Sequence, residues 1–307
     1  MQTENLIAIH PTALLEAVAQ QSYPTASLYV VATPIGNSAD ISLRALHVLA
    51  IADAVACEDT RNTAQLMTRY GLHKSLIAAH QHNEHEVAEK IIARLQAGER
   101  IALVSDAGTP AVSDPGAIIV DAVRAAGLRV IPLPGASAAI SALSVSGLIN
   151  DQFYFVGFLP SKAGQRDVVL QNLTAIPASM IFYEAPHRIL ESTAALCKAF
   201  GEQRRVVFAR ELTKLFEEVH RCTLGDAASW LAQDAHREKG EFVVLVEGAT
   251  ADADGDDLEE KRVLTILLEE LSVKQAAALA AQITGQKKNA LYQIALEMKN
   301  QQDVDSK

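Results

Sequence analysis

Short apolar runs alternate with amphipathic stretches along the first half of the chain. Five apolar runs predict strands at 28–31, 54–57, 76–79, 101–104 and 128–131. Apolar residues recur at helical spacing between them, at 41–50, 63–70, 86–96 and 116–126. Strands that alternate with helices in this way form a mostly parallel sheet that is covered on both faces. The pattern therefore predicts an α/β domain, with Asp40 as the N-cap of its first helix.

The second half of the chain predicts another α/β unit, in which some strands are antiparallel. Helices are predicted at 138–146, 189–200 and 226–235. Strands are predicted at 153–158, 180–183, 205–209, 218–223 and 242–246. The strand at 218–223 follows its predecessor closely enough for the two to form a hairpin. The predicted fold class is thus α/β throughout, with two such domains and a small helical extension at the C-terminal end.

These patterns divide the chain into five parts. We predict a flexible leader at 1–26, α/β domains at 27–138 and 139–250, an acidic linker at 251–258 and a helical extension at 259–307. The extension carries Lys287 and Lys288 at the start of a predicted helix, which is typical of a module that contacts nucleic acid. A helix hairpin that serves packing or dimerisation explains the same segment equally well.

Composition and charge narrow the class of protein. The chain has 307 residues, a formal net charge of −10 and three cysteines without metal-like spacing. An acidic balance argues against a strongly basic protein that wraps nucleic acid, although a local basic patch can still bind RNA. No apolar run approaches membrane-spanning length, and the first residues lack the pattern of a signal peptide. We therefore expect a cytoplasmic protein with reduced thiols and no membrane partner.

Four loops at predicted strand ends carry unusual sequences. They lie at 33–37, 57–61, 105–110 and 132–138, and the third reads Ser-Asp-Ala-Gly-Thr-Pro. Open α/β sheets bind their ligands at the carboxyl ends of the strands. Small residues in such loops let the backbone approach a ligand closely. The loops predict a small-molecule site with a second substrate beside it.

Several common site types are poorly supported. The loop at 33–37 has one glycine where a dinucleotide fingerprint needs three, and neither a Gly-Lys-Ser/Thr motif nor a Gly-x-Ser-x-Gly motif occurs. His80, His82 and His85 lack the carboxylates or cysteines that would complete a metal site, so we predict no metal. A ligand with an adenosine and a carboxylate but no phosphate suits these loops, and S-adenosylmethionine is such a ligand.

The ordered set of motifs resembles a known family. The motifs are Thr-Pro-Ile-Gly-Asn at 33–37, Glu-Asp-Thr-Arg at 58–61, Ser-Asp-Ala-Gly-Thr-Pro at 105–110, Pro-Gly-Ala at 134–136, Gly-Phe-Leu-Pro at 157–160, Tyr-Glu-Ala-Pro-His-Arg at 183–188, Ala-Arg-Glu-Leu-Thr-Lys at 209–214 and Lys-Gly-Glu at 239–241. Together they resemble the bacterial cytidine 2'-O-methyltransferases of small-subunit ribosomal RNA, within the tetrapyrrole methylase superfamily. The resemblance covers about 28–298, including the extension. Ala32 departs from the proline that this family usually has there.

The resemblance implies a fold, a cofactor and a substrate. It implies two α/β domains with S-adenosylmethionine in the cleft between them, a homodimer, and methylation of a cytidine ribose in RNA of the small ribosomal subunit. The cofactor contacts that it implies are Ile35, Asp106, Ala107, Gly108, Ser137, Ala138, Phe182, Tyr183 and Leu212. Two alternatives stay open, a C-methyltransferase of tetrapyrrole precursors and a non-catalytic RNA-binding protein that senses the cofactor.

Charged residues at the strand ends are candidates for the chemistry and for RNA contacts. A ribose hydroxyl is a poor nucleophile while protonated, so a general base assists its methylation. Glu184 is the first candidate for this base, with Glu58 and Glu211 as alternatives, and Arg188 is expected to act beside it. Basic side chains that hold phosphate are predicted at Arg61, Lys214, Lys287 and Lys288. For Asp59, a helix cap is the favoured interpretation.

Overall fold

The structure, a computed structural model, describes residues 11–249, 253–268 and 270–305. Its first sheet has five parallel strands in the order β3-β2-β4-β1-β5. The strands are β1 Ser27–Val31, β2 Ala54–Cys57, β3 Leu76–Ala78, β4 Arg100–Leu103 and β5 Arg129–Leu133. The first helices are α1 Pro11–Ala19, α2 Leu43–Ile51, α3 Thr60–Arg69, α4 Glu84–Gln96 and α5 Ala117–Ala125. The predicted parallel α/β architecture is confirmed.

Helices cover both faces of this sheet, and the side chains of β1 show why. Tyr29 and Val31 belong to the apolar cluster under α2, whereas Leu28 belongs to the cluster under α4 and α5. Successive side chains of a strand point to opposite faces, so a strand that is apolar at every position is buried on both sides. The cap of α2 differs from the prediction: Ser42 accepts a hydrogen bond from the Ala45 N–H, and Asp40 ends a short 3₁₀ helix instead.

The second sheet is mixed, in the order β6-β7-β10-β8-β9. Its strands are β6 Phe153–Phe158, β7 Ser179–Glu184, β8 Arg205–Arg210, β9 Glu218–Thr223 and β10 Phe242–Val246. The associated helices are α6 Ala138–Ser146, α7 Ala163–Leu173, α8 Ile189–Phe200 and α9 Leu224–Ala232. β6 and β7 are parallel, and the other neighbours are antiparallel, including the predicted hairpin of β8 and β9. Sequence patterns did not predict α7.

Two apolar clusters lie on the two faces of the second sheet. Phe182 and Phe208 belong to the larger one, where Phe208 stacks on Trp230 with ring centroids 5.3 Å apart. Ile181 and Val207 belong to the smaller one, which lies against α6. Because α6 comes directly after the loop that follows β5, the smaller cluster brings the second sheet against the carboxyl ends of the first sheet.

Residues 11–26 belong to the folded body, which corrects the prediction of a flexible leader. Val18 and Tyr23 are buried in the same cluster as Val48 of α2, and the Tyr29 hydroxyl donates a 2.8 Å hydrogen bond to the Pro24 carbonyl. The apolar stretch in α1 supplies a cover for α2, which is why it folds against the domain. The rest of the predicted leader, residues 1–10, lies outside the described residues.

The C-terminal extension is a three-helix unit with its own core. Its helices are α10 Ala253–Leu268, α11 Val273–Thr284 and α12 Lys288–Asp305. Leu264, Ala276, Ala280, Leu291 and Ala295 are buried among them. Of the predicted acidic linker at 251–258, residues 253–258 belong to the helix α10, and 251–252 lie outside the described residues. Among the described residues, none of the helices combines the length and the apolar character that a membrane crossing needs.

Candidate active site

A cavity of about 330 Å³ opens where the two sheets meet. One wall comes from the loops that follow β1, β4 and β5, and the other from the ends of β6 and β7, β10 and the loop after β8. Its lining residues are Ile35, Ala107, Gly108, Thr109, Val112, Ser113, Asp114, Ser137, Ala138, Phe158, Tyr183, Glu184, Ala185, Pro186, Ala209, Leu212, Lys214, Glu241, Phe242 and Val243. A mostly apolar cleft of this size with a few polar groups is typical of a small-molecule site.

The floor of the cavity is held by backbone contacts between two strand ends. Thr33 and Gly108 form an antiparallel bridge, with N–H to carbonyl hydrogen bonds of 2.9 and 3.0 Å. The Thr33 hydroxyl also donates to the Ser105 carbonyl at 3.1 Å. Gly108 has a φ of +82°, which L side chains rarely adopt. The small-residue loop at 105–110 is therefore fixed against the loop after β1, with its backbone exposed to the cavity.

Seven of the nine predicted cofactor residues line this cavity together. They are Ile35, Ala107, Gly108, Ser137, Ala138, Tyr183 and Leu212. They come from five separate segments, which only the folding of both domains brings to one place.

The two remaining predicted cofactor residues point elsewhere. Phe182 is buried in the larger core cluster, on the face of β7 opposite to Tyr183. Asp106 accepts hydrogen bonds from the Asp59 N–H at 3.2 Å and from Asn62 Nδ2 at 2.7 Å. The Asp106 side chain thus holds the start of α3 rather than lining the cavity, so side-chain placement supports neither of these two assignments.

Tyr183 is the aromatic side chain at the centre of the second wall. Its hydroxyl accepts a 3.3 Å hydrogen bond from the Ala139 N–H, and its ring makes edge contacts with Phe155 and Phe158 at centroid distances of 5.1 and 5.6 Å. Burial raises the pKa of this hydroxyl, so it stays protonated at neutral pH. A fixed aromatic face of this kind can support a flat heterocycle.

Glu184, the first candidate for a base, is a buried structural group. Its carboxylate accepts hydrogen bonds from the Ser192 hydroxyl and from the Ala185 N–H (2.9 Å), and it lies 3.4 Å from Arg188 Nε. Arg188 in turn donates to the Leu159 carbonyl at 2.7 Å. These contacts tie the end of β7 to the start of α8 and to the loop after β6. The Glu184 carboxylate is therefore engaged in contacts within the protein, which argues against its role as a base. Arg188 likewise connects Glu184 to the loop after β6.

Glu211 is also held in an ion-pair network. Lys214 Nζ lies 2.8 Å from carboxylate oxygens of both Glu211 and Glu241, and the Glu241 N–H donates to Glu211 at 2.9 Å. Burial acts to raise the pKa of Glu211, but the hydrogen bonds from Lys214 and Glu241 outweigh it and leave that pKa below its usual value. A carboxylate with a lowered pKa is a weaker base. Lys214 lines the cavity, but its charge is balanced within the protein.

Glu58, the third candidate, lies outside the lining at the end of β2. Its pKa is raised by burial and by the nearby charges of Asp106 and Asp59. Asp59 is the N-cap of α3, as predicted: it accepts from the Arg61 N–H at 2.8 Å and pairs with the Arg61 guanidinium at 2.7 Å. The hydrogen bonds from Arg61 lower the pKa of Asp59 to about 2.

The basic residues predicted to contact RNA are dispersed. The Arg61 side chain is 86% exposed near the acidic groups at the end of β2. Lys287 and Lys288 are exposed at the start of α12, in the separate unit of the extension. No grouping of three His, Cys, Asp or Glu side chains suited to a metal ion occurs in the part of the chain that the structure describes.

Asp114 is the site residue that the sequence interpretation missed. It follows Ser113 in the cavity wall and begins the Asp-Pro-Gly sequence at 114–116, which is not among the predicted site residues. Burial and the neighbouring charge of Glu58 raise the pKa of Asp114 to about 6. A signal was present in the sequence, since a second carboxylate followed the Ser-Asp-Ala-Gly-Thr-Pro loop within a few residues.

The fold and the cavity define a two-domain α/β protein with a cleft for a small molecule between its sheets. A family model described as Tetrapyrrole (Corrin/Porphyrin) Methylases matches residues 27–228, and a second, described as RsmI C-terminal HTH domain, matches residues 254–299. The chain belongs to the tetrapyrrole methylase family, whose members are methyltransferases.

Curated relatives match nearly the whole chain. A protein of Escherichia coli O157:H7 named ribosomal RNA small subunit methyltransferase I is 50% identical over 270 residues, which is 88% of this chain and 94% of the relative. The protein of the same name from Pseudomonas aeruginosa is 51% identical over 273 residues, covering 88% and 97%.

Solved structures share the fold at lower identity. The methyltransferase CobJ has a TM-score of 0.55 and 21% identity, covering 72% of this chain and 94% of that one. The cobalt precorrin-4 methyltransferase CbiF has a TM-score of 0.53 and 17% identity, covering 72% and 95%. These likenesses confirm the two-domain fold.

Proposed function

We propose that this protein is an S-adenosylmethionine-dependent methyltransferase that acts on the ribose 2'-hydroxyl of a cytidine in small-subunit ribosomal RNA. The observation that carries the proposal is the cavity, where seven separately predicted cofactor contacts meet. Relatives at about half identity, named as methyltransferases of this ribosomal RNA, support the substrate class. Cytidine and the 2'-oxygen come from the motif resemblance.

The chemistry of the lining fits such a donor. Adenosine needs an apolar slot, which Ile35, Ala138 and Leu212 supply beside the Tyr183 ring. In the part of the chain that the structure describes, Lys214 is the one basic side chain of the lining, and two carboxylates already balance its charge. A pyrophosphate would need free donors or cations. A sulfonium donor has no phosphate, so it does not need the free donors or cations that this lining lacks.

Exposed apolar side chains on α6 and β6 support a homodimer. Ile140 and Val145 of α6 are more than half exposed, as is Ile149 after it, and Phe153 and Tyr154 of the edge strand β6 are about half exposed. Large apolar side chains that are exposed to this extent are favourably covered by a second copy. Sedimentation at micromolar concentration should give a dimer, and an Ile149→Asp variant should shift it toward monomer.

We place the enzyme in the cytoplasm, where ribosomal subunits are its substrate.

One incubation distinguishes this function from its two alternatives. Purified protein and methyl-labelled donor are mixed with small ribosomal subunits or with a porphyrinogen, and the RNA is digested to nucleosides. Label in 2'-O-methylcytidine supports the proposal. Label in the porphyrinogen supports a tetrapyrrole C-methyltransferase. Donor binding without label in either substrate supports a cofactor-sensing RNA-binding protein and overturns the enzymatic proposal.

A further inference from the structure

Three carboxylates line the cavity, those of Asp114, Glu184 and Glu241, and the last two are engaged in hydrogen bonds or ion pairs within the protein. Glu184 accepts hydrogen bonds from Ser192 and Ala185 and lies beside Arg188. Glu241 pairs with Lys214 at 2.8 Å. Among the residues that the structure describes, no cation forms an ion pair with Asp114. Asp114 is therefore the lining carboxylate that is left to act on a ligand.

The segment that carries Asp114 is fixed by contacts on both sides. Upstream, the Thr109 hydroxyl donates to the Ala136 carbonyl at 3.1 Å. Downstream, the Gly116 N–H donates to Glu84 at 2.8 Å. Between these ties, Ala111 and Ser113 have φ angles of +64° and +61°. Such strained backbone persists where surrounding contacts impose it, and it is concentrated at functional sites.

Acidic and neutral groups face Asp114. The charges of Glu58 at the end of β2 and Asp106 in the loop after β4 act on it from the first domain, and Asp114 in turn helps to raise the pKa of Tyr183 of β7 in the second. A hydrogen bond with the Ser105 side chain opposes their effect. Lys214, the cation of the lining, is neutralised by Glu211 and Glu241. Burial, followed by the charges of Glu58 and Asp106, raises the pKa of Asp114 to about 6, which keeps it ionised at neutral pH but makes it a better base than an ordinary carboxylate.

We propose that Asp114 is the general base that accepts the proton of the ribose 2'-hydroxyl during methyl transfer. This role rests on the proposed function. The hydroxyl oxygen forms a bond to the methyl carbon of the sulfonium donor, the carbon–sulfur bond breaks, and its electron pair stays on sulfur as a neutral thioether. The hydroxyl proton moves to the Asp114 carboxylate and is released to water before the next turnover. Atoms and charge balance without any further reactant.

The test compares wild-type protein with Asp114→Asn in single-turnover methylation of small subunits between pH 5 and pH 8. Loss of a general base lowers the rate roughly 10²–10⁴-fold. The wild-type rate should fall on the acidic side with an apparent pKa near 6, and Asp114→Asn should lack that dependence. Donor affinity, measured by calorimetry, should change less than about threefold. Asp121→Asn, the same substitution at an exposed position of α5, is the matched control.

Each outcome separates this role from the proposed function. Wild-type methylation of the RNA together with a wild-type rate and pH profile in Asp114→Asn would overturn the base assignment alone. A wild-type protein that leaves the RNA unlabelled would overturn the proposed function, and the base role with it. If Asp114→Asn transfers the methyl group slowly but its rate still falls at acidic pH as in wild type, Asp114 has only a structural role. That result also overturns the proposal. A Glu58→Gln change should shift the acidic limb to lower pH, because it removes one of the repelling charges.

Discussion

The backbone N–H of Asn37 donates a 3.1 Å hydrogen bond to the hydroxyl of Thr213, and this bond joins the loop after β1 to the loop after β8. Thr213 has a φ of +65°, and its own N–H donates to Glu217 at 2.6 Å. Gly36, beside Asn37, leaves no room for a side chain, since a Cβ there would lie 2.5 Å from Lys214 Cγ. The two loops therefore approach closely at one rim of the cavity, next to Ile35 and Leu212.

A Thr213→Val variant should loosen this rim. The substitution keeps the branched shape but removes the acceptor for the Asn37 N–H, so the loops lose one neutral hydrogen bond, whose net contribution is about 0.5–1.5 kcal/mol. We expect a few-fold weaker affinity for S-adenosylmethionine by calorimetry. Thr174→Val, which removes a hydroxyl bonded to the Gln171 carbonyl at the end of α7, is the control. Equal donor affinity in both variants would contradict a role for the rim contact.

A Gly108→Ala variant should lose both stability and donor affinity. At a φ of +82° an alanine is strained, and the left-handed conformation costs roughly 1–2 kcal/mol. Gly98 has a φ of +94° after α4, with open space around it, so Gly98→Ala carries a similar backbone cost away from the cavity. Urea unfolding should show comparable losses for the two variants. Calorimetry should show weaker donor binding only for Gly108→Ala, and a matching loss in Gly98→Ala would contradict this.

The strand and helix pattern was predictable because each element in the α/β domains has a strong local signal. Apolar runs of four residues between amphipathic helices predicted the parallel sheet. The helix that was missed, α7, has a weaker signal, since it lacks a clear apolar face. It is stabilised by tertiary contacts, with Leu170 in the larger core, and the short α1 is likewise held by Val18 against α2. Sequence patterns do not report such contacts.

The site was predictable as a set of loops but not as a set of side-chain roles. The carboxyl ends of parallel strands converge, so Ala107 and Ser137 could be placed together from the sequence. Which carboxylate is free to contact a ligand depends on hydrogen-bond partners that are distant in the chain. The Ser192 hydroxyl donates to Glu184, and the Asn62 amide donates to Asp106. Phe182 and Tyr183 point to opposite faces of β7, so only Tyr183 lines the cavity. These contacts exist only in the folded protein.

A Glu184→Gln variant should lower stability more than it lowers the rate of the chemical step. The amide keeps the shape but replaces one acceptor oxygen with a donor that faces Ser192 or the Ala185 N–H, at a buried position. Leaving such a buried group unsatisfied costs roughly 1–3 kcal/mol. Thermal unfolding should show a clear decrease, whereas Glu86→Gln, at an exposed pair with Lys90, should show almost none. Full stability with a large loss of rate would restore Glu184 as a candidate base.

A Lys287→Gln, Lys288→Gln double variant should bind the small ribosomal subunit more weakly. Both side chains are exposed at the start of α12, where positive charge is unfavourable for the helix dipole, so their removal should not destabilise the extension. If they contact phosphates, the dependence of binding on salt should decrease by about one unit of slope for each lysine. Lys90→Gln with Lys198→Gln makes the same change in net charge elsewhere. Equal weakening in both double variants would indicate a general charge effect.

Asp114→Asn should stabilise the protein at neutral pH while it slows methyl transfer. The native pKa of Asp114, about 6, is above the ordinary value of 3.8, so between these values the native state binds more protons than the unfolded state. Stability then falls as pH rises through this window, and above pH 6 the ionised carboxylate is fully unfavourable. The asparagine removes that charge. We expect a higher melting temperature than wild type at pH 7.5, with a difference that shrinks as pH falls toward 4. Asp121→Asn, at an exposed position, should show no such dependence, and a pH-independent difference for Asp114→Asn would contradict the raised pKa.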